Sequence, residues 1–404
     1  WLENRLDQNP STWLSHTVDS TVVAASSVVV ADVDGNGETE IVSGCINSPL
    51  LAWWARPSVL TNPWTRNEIQ SSDGITDVSA VDLDADGDQD IISSRWNASS
   101  GGLTLWENTG GGAFVDRELG GVYSRIWATA VGDLDTDGDL DFAVATGDSD
   151  LVEVMENVTI HSTADVTVLQ SKSVEGGPPK PLDLAVTDLD RDGDLDIVSY
   201  DDTKRLHWRD MPDDAPTLLQ ATSALLNSDA FELADIDNDG DTDVVMGLSD
   251  GLEWLENPGF GNQFARHTID SASTIEHVTV VDLNGDGQLD VIGLNSATTE
   301  VRWWRNLGEG SGWFENPLAT GLTSFSDLAI GDLDRDGALE VVIAADGEVT
   351  AYSRLVDTVF NQQTIATAGP VIVVIDDFDV DGDPDVLGLI DGPVPDLALW
   401  INDG

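Results

Sequence analysis

Short apolar runs rich in Val and Ile recur along the chain, each running into a cluster of Asp and Gly and each followed by a second apolar run. The stretch 277–318 shows the full pattern: HVTVVD at 277–282, an acidic turn, DVIGL at 290–294, EVRWWR at 300–305 and a fourth apolar stretch at 313–318. Runs of this length, enriched in β-branched and aromatic residues and bounded by turn residues, predict strands. Four of them make one small antiparallel sheet. The third strands align along the chain as LAWWAR, LTLWEN, LVEVMEN, RLHWRD, LEWLEN, VRWWRN, VTAYSR and LALWIN, and the fourth strand shows as STWLSHTVD and NQFARHTID. A large aromatic repeated at one place in nearly every unit reads as packing between neighbouring sheets. The alignment of His16 with His267 likewise reads as structural.

The acidic turns are eight copies of one nine-residue loop, starting at Asp32, Asp82, Asp133, Asp188, Asp235, Asp282, Asp332 and Asp377, with spacings of 50, 51, 55, 47, 47, 50 and 45 residues. Such a period marks a repeat architecture in which each unit is one supersecondary element. Small sheets set radially around an axis leave only short, protected edges. The expected fold is all-β: an eight-bladed β-propeller of four-stranded antiparallel blades, one domain over residues 1–404. Residues 1–4 (WLEN) match 254–257, and the chain stops in the same phase just after Trp400. The last unit thus lacks its outer strand, and residues 12–19 are expected to supply it and close the ring. A fragment cut from a longer array fits the same overlap. The irregular segment 171–181 fits a loop in the longest repeat.

Within each loop the residue types follow an oxygen-ligand pattern. Position 1 is the Asp that starts each copy. Position 3 is Asp34, Asp84, Asp135, Asp190, Asp237, Asn284, Asp334 and Asp379; position 5 is Asn36, Asp86, Asp137, Asp192, Asp239, Asp286, Asp336 and Asp381. Position 7 is Glu38, Asp88, Asp139, Asp194, Asp241, Gln288, Ala338 and Asp383, and position 9 is Glu40, Asp90, Asp141, Asp196, Asp243, Asp290, Glu340 and Asp385. Calcium takes six to eight oxygens, which acids at 1, 3 and 5, a carbonyl at 7 and a late bidentate acid supply, while glycine at 6 permits the sharp turn. An EF-hand places its bidentate Glu at position 12 between helices; here position 12 after Asp82 is Ser93 and the flanks are strands. Turn chemistry alone would account for one Asp-Gly pair, not for further acids at fixed offsets in eight copies. About eight Ca²⁺ ions are therefore expected, held more weakly where Asn36 and Asn284 each replace an acid.

The chain has 404 residues, a net charge of −58 and one cysteine, Cys45, so it forms no intrachain disulfide. No apolar run approaches the ~20 residues of a membrane helix. Of 75 acidic residues, 36 lie in the loops, so the excess charge is largely ligand-type carboxylate. Eight divalent ions would offset only about 16 charges. A nucleic-acid partner is excluded on these grounds, because a polyanion is repelled. Weak calcium sites suit extracellular modules, which places the protein outside the cell, at a cell surface or in the periplasm. The sequence opens in mid-pattern at Trp1, which suggests that a leader or further chain has been removed. Asn97-Ala98-Ser99 and Asn157-Val158-Thr159 fit the glycosylation acceptor pattern.

An apolar strand, D-x-D-x-D-G-x-x-D, a second apolar strand, W-x-E-N and an F-x-x-H-T-I-like strand together resemble the FG-GAP and VCBS repeats of integrin α-subunit propellers and of many bacterial surface proteins. The count of eight resembles the rhamnogalacturonan lyase propellers. The resemblance implies that the calcium loops lie on one face and the starts of the first strands on the other. Those starts are Ser27, Asp77, Ala128, Asp183, Ala230, His277, Asp327 and Ile372, with Trp127, Asp229 and Glu276 one residue earlier. Their variety, and the unaligned Trp96 in a connection on the same face, point to a ligand face at Trp96, Trp127, Asp77, Asp183, His277 and Asp327, set against a rim with no ligand. The functions weighed are a non-catalytic adhesion or binding module for a glycan or protein, a polysaccharide lyase, and a purely architectural surface subunit. Lyase chemistry needs a base and a cation to neutralise a uronate. His277, Tyr123, Tyr200, Arg125 and Lys204 are its sparse candidates.

Overall fold

The computed structural model describes residues 13–22, 25–46, 48, 50–58, 62–70, 74–96, 102–119, 126–146, 151–157, 169–173, 181–201, 203, 205–211, 216–219, 231–259, 264–356, 359–367, 369–378, 380, 382–390 and 396–402. The strands form eight four-stranded antiparallel sheets arranged as propeller blades. Among the described residues no helix is long and apolar enough to cross a membrane. Blade 1 runs from its innermost strand Ala25–Ala31 through Glu40–Cys45 and Leu50–Ala55 to Thr65–Gln70 outermost. Blade 8 takes Pro370–Asp376, Asp385–Ile390 and Asp396–Ile401 from the end of the chain and its outermost strand, Leu14–Asp19, from the beginning. Ser15 lies opposite Trp400 in that pairing, so the expected closure by residues 12–19 is present.

Each blade is apolar on both faces, and each face is covered by a neighbour. The second strands are buried along their whole length, as in Glu40–Cys45, Asp141–Thr146 and Asp290–Asn295, which is why they read as continuous apolar runs rather than alternating ones. The core divides into eight clusters, one at each blade interface. Blades 1 and 2 share Val33, Val42, Trp53, Ile75 and Trp106; blades 8 and 1 share Leu387, Leu399, Phe378, Ile41 and Trp54, which completes the ring. The third-strand aromatics supply much of this packing: Trp54, Trp254, Trp303 and Trp304 are all at most 2% exposed. Gly44 in the second strand of blade 1 leaves room for the buried Ile75 of blade 2, and a methyl group there would strike the Ile75 side chain. His267 stacks on Trp254 at 4.6 Å and hydrogen-bonds Glu256 at 2.6 Å, in accord with a structural role.

Innermost strands carry a repeated irregularity. In seven blades the register with the second strand shifts across one residue near the start: Ser26, Thr76, Trp127, Leu182, Glu276, Ser326 and Val371 are the extra residues. A β-bulge bends the strand and re-aims the side chain at the kink. Residues on the innermost strands, some of them next to a bulge, fasten one blade to the next. Ser27 donates its hydroxyl to Asp77 Oδ1 at 2.9 Å and accepts Val78 N–H, Asp327 accepts Val373 N–H at 2.9 Å, and Glu232 accepts Val280 N–H at 2.7 Å.

Candidate functional site

The nine-residue loops join the first and second strands of each blade, all on one face, and share one backbone. Position 6 is a glycine with φ between +85° and +101° in all eight copies. Position 4 is also left-handed, at Gly35, Ala85, Thr136, Arg191, Asn238, Gly285, Arg335 and Val380, although six of these carry side chains. Left-handed residues on either side of position 5 wrap the chain so that side chains 1 and 3 converge with that of position 9 or, in loop 2, of position 5. Carboxylate oxygens of Asp32, Asp34 and Glu40 lie within 4.8 Å of one another, as do those of Asp82, Asp84 and Asp86, of Asp133, Asp135 and Asp141, and of Asp188, Asp190 and Asp196. Asp379 and Asp381 lie outside the described residues.

Hydrogen bonds inside the loop fix this convergence. The position 1 carboxylate accepts the glycine N–H, as in Gly37 to Asp32 at 2.8 Å and Gly287 to Asp282 at 2.8 Å. The position 3 group accepts the N–H of position 5, and position 5 that of position 7, as at Asp34, Asn36 and Glu38. Position 7 side chains turn away from the cradle: Asp241 and Asp383 meet arginines of the preceding loops, Arg191 and Arg335.

Position 9 has a second duty that sequence reasoning missed. Its carboxylate is buried to 2% exposure or less in every loop. One oxygen accepts the N–H of position 2, as in Leu83 to Asp90 at 3.0 Å and Leu333 to Glu340 at 2.8 Å. The other accepts the N–H at the end of the third strand, as in Asn108 to Asp90 at 2.7 Å and Asn306 to Asp290 at 2.8 Å. That asparagine, the last residue of W-x-E-N, then donates its amide across the interface to the position 2 carbonyl of the preceding blade: Asn108 to Val33 at 2.8 Å, Asn157 to Leu83 at 3.0 Å, Asn306 to Ile236 at 3.0 Å. Arg354 occupies the equivalent place in blade 7 and reaches the Asn284 carbonyl at 3.0 Å. Asn157 is fully buried in this role and is not a glycosylation acceptor; Asn97 lies outside the described residues.

Burial dominates the proton affinity of these acids. It pushes Glu40, Asp90, Asp243 and Asp290 up to about 7 and Glu340 to about 8, with the backbone N–H bonds pulling down and the neighbouring loop carboxylates adding to the rise in each. In four loops the position 1 Oδ1 receives the N–H of position 5. In the other four, Oδ1 of Asp188, Asp235, Asp332 and Asp377 is buried and has no hydrogen-bond partner among the described residues. A buried, partnerless carboxylate oxygen is strongly unfavourable unless a cation meets it. Hard oxygen donors only, several of them anionic, fit Ca²⁺ rather than a thiophilic or imidazole-seeking metal.

On the opposite face the structure sorts the remaining candidates. Asp77, Asp183 and Asp327 each accept the N–H of the following residue, at 2.9, 2.8 and 2.9 Å, and Asp77 and Asp327 also engage the neighbouring blade. For Asp77 and Asp327 an acid at that place thus serves blade-to-blade fastening. His277 packs its ring on Phe325 of blade 7 at 5.7 Å. Trp127, on the bulge of blade 3, is 40% exposed, whereas the third-strand tryptophans are buried. Trp96 ends the second strand Asp90–Trp96 of blade 2. Tyr200 is 2% exposed in the core between blades 4 and 5, where burial, with Asp201 beside it, raises its phenol. Tyr200 and His277 therefore do not form one constellation, and Tyr123, Arg125 and Lys204 lie outside the described residues.

A family model described as FG-GAP-like repeat matches residues 32–93, 82–144, 235–293 and 282–343, more than half of the chain. No curated protein matches it. Among solved structures the chain is similar to the Dos1 propeller, at 12% identity over 97% of this chain and 94% of that one with a TM-score of 0.56. It is similar also to BBS1N in complex with ARL6DN, at 12% identity over 98% and 99% with a TM-score of 0.51. A lectin of Agrocybe aegerita that recognises non-reducing terminal N-acetylglucosamine gives 17% identity over 87% and 92% and a TM-score of 0.48. At such identities the likeness is one of fold. Matched in its loops and built of eight four-stranded blades, the chain belongs to the FG-GAP-like repeat family.

Proposed function

We propose that this propeller is a calcium-stabilised, extracellular binding module that holds a glycan or a protein on the face away from its acidic loops. The calcium part rests on the partnerless buried oxygens of Asp188, Asp235, Asp332 and Asp377. Positions 1, 3, 5 and 9 would hold the ion, which would supply charge neutralisation and cross-linking of each loop. An extracellular setting follows from the calcium concentration that sites of this class require.

Trp127 carries the choice of face. A tryptophan with two-fifths of its surface in solvent, set on a bulge at the start of an innermost strand, presents part of its apolar ring to a ligand. Recognition sites pair an aromatic platform with a few polar groups. Binding measured on a glycan array and against extracellular protein panels tests the reading. Loss of a bound ligand on Trp127→Ala, with Trp304→Ala affecting stability instead, supports it; a ligand retained in full by Trp127→Ala, or no ligand of either class, defeats it.

A further inference from the structure

The loops are not independent of one another. Position 4 of a loop lies between two of its candidate ligands, and its left-handed backbone directs the side chain at the next loop in the ring. Arg191 of loop 4 (φ +60°) places Nε 2.5 Å from Oδ1 of Asp241, at position 7 of loop 5, and the end of its guanidinium lies where any side chain on Gly240 would have to go. Arg335 of loop 7 (φ +56°) repeats the arrangement on loop 8, with Nε 3.0 Å from Asp383 Oδ1 and its guanidinium against Gly382. Asn238 of loop 5 does the same with a neutral amide, donating to the Gly287 carbonyl of loop 6 at 3.3 Å. Ala85 of loop 2 is too short to reach loop 3.

We infer that Arg191 and Arg335 are positioning residues that couple metal binding at neighbouring loops, 4 to 5 and 7 to 8, an inference that rests on the calcium reading above. Three facts lead there. A bulky residue held at positive φ is strained, and the contact it makes lies across the blade interface rather than within its own loop. The guanidinium is a permanent cation docked on a loop with five carboxylates, Asp235, Asp237, Asp239, Asp241 and Asp243. Asp241 itself is buried, at 6% exposure, so the half-exposed Arg191 side chain is anchored on a carboxylate that is largely withdrawn from solvent. An ion gripped by Asp190 and Asp192 fixes the backbone between them, and with it the guanidinium that braces positions 6 and 7 of loop 5. By linkage, an ion in loop 5 favours the same arrangement of Arg191 and thereby the ion in loop 4.

Calcium titration of the full chain, followed by peptide-resolved hydrogen exchange of segment 235–243, reads loop 5 alone. Weakening loop 4 with Asp192→Asn is expected to raise the calcium midpoint of loop 5 by about fivefold. In an Arg191→Ala background the same substitution is expected to leave that midpoint in place, and Asp241→Asn, which removes the other partner, should behave as Arg191→Ala does. Loops 2 and 3, joined by the Asn157 amide but with Ala85 at position 4, are the control: Asp86→Asn should not move loop 3. A shift of loop 5 that persists without Arg191, an equal shift of loop 3, or no shift in the parent protein overturns the coupling while leaving the calcium reading intact. Calcium-independent exchange at every loop overturns both.

Discussion

Glycine at position 6 sits beyond the left-handed region that other residues reach, at φ +97° for Gly138 and +90° for Gly240. A methyl at Gly138 meets nothing, whereas one at Gly240 collides with Arg191. Gly138→Ala is thus expected to lower stability by about 1 to 2 kcal/mol through backbone strain alone, and Gly240→Ala by more, as read by urea unfolding; equal losses would contradict the docked guanidinium. The position 9 acids set a pH dependence whose sign can be worked out. Their native pKa, about 7 for Glu40, Asp90, Asp243 and Asp290, lies above the ordinary carboxylate value, so between about pH 4 and 7 the metal-free native state binds more protons than the unfolded chain. Stability in chelator should therefore fall as pH rises through that window, with a higher melting temperature at pH 5 than at pH 8. Self-repulsion of a chain of charge −58 acts in the same direction, so the discriminating observation is excess calcium, which should reverse the order because protons then compete with the ion. An unchanged order would count against carboxylate ligation. The glycine at position 6 was readable from sequence because few residues tolerate its φ. The left-handed residue at position 4 was not, since Ala, Thr, Arg, Asn and Val all occupy it and leave no compositional mark.

At the scale of elements, each loop is tied to two blades through one residue. Leu83 at position 2 buries its side chain between blades 2 and 3, gives its N–H to Asp90 and its carbonyl to Asn157 of the next blade. Asn306 makes the same link between blades 5 and 6 and also donates to the Leu289 carbonyl at 3.2 Å. Asn306→Ala leaves two buried carbonyls short of a donor and should cost about 2 kcal/mol, measured by thermal or urea unfolding; a loss below about 0.5 kcal/mol, the level of an ordinary surface change, would remove the interface role. The strands and their order were legible because periodicity and turn residues encode them locally. The asparagine was visible as part of W-x-E-N, yet its partner lies some 70 residues earlier, at Ile236 for Asn306, and spacing along one strand carries no information about that contact. The same holds for Asp77 and Asp327, whose variety at the strand starts read as a ligand mouth while their carboxylates fasten neighbouring blades.

For the molecule as a whole, eight interface cores run around the ring and eight acidic loops lie on one of its faces, one system apolar and the other acidic. The apolar system closes through the strand Leu14–Asp19 laid on Asp396–Ile401, and its count of eight followed directly from the loop repeat. The acidic system crowds three or four carboxylates into each loop, and in metal-free form that crowding opposes the fold. Ions bound only by the native state add about 1.4 to 2.7 kcal/mol per site at ten to a hundred times Kd. Summed over eight loops this is on the order of 10 to 20 kcal/mol, as large as the net stability of many domains. The most direct test is the melting temperature of the full chain in millimolar calcium and after exhaustive chelation at the same pH. The account expects chelation to lower it by about 10 °C or more and readdition of calcium to restore it. A melting temperature indifferent to calcium would contradict the central claim that these loops are metal-held.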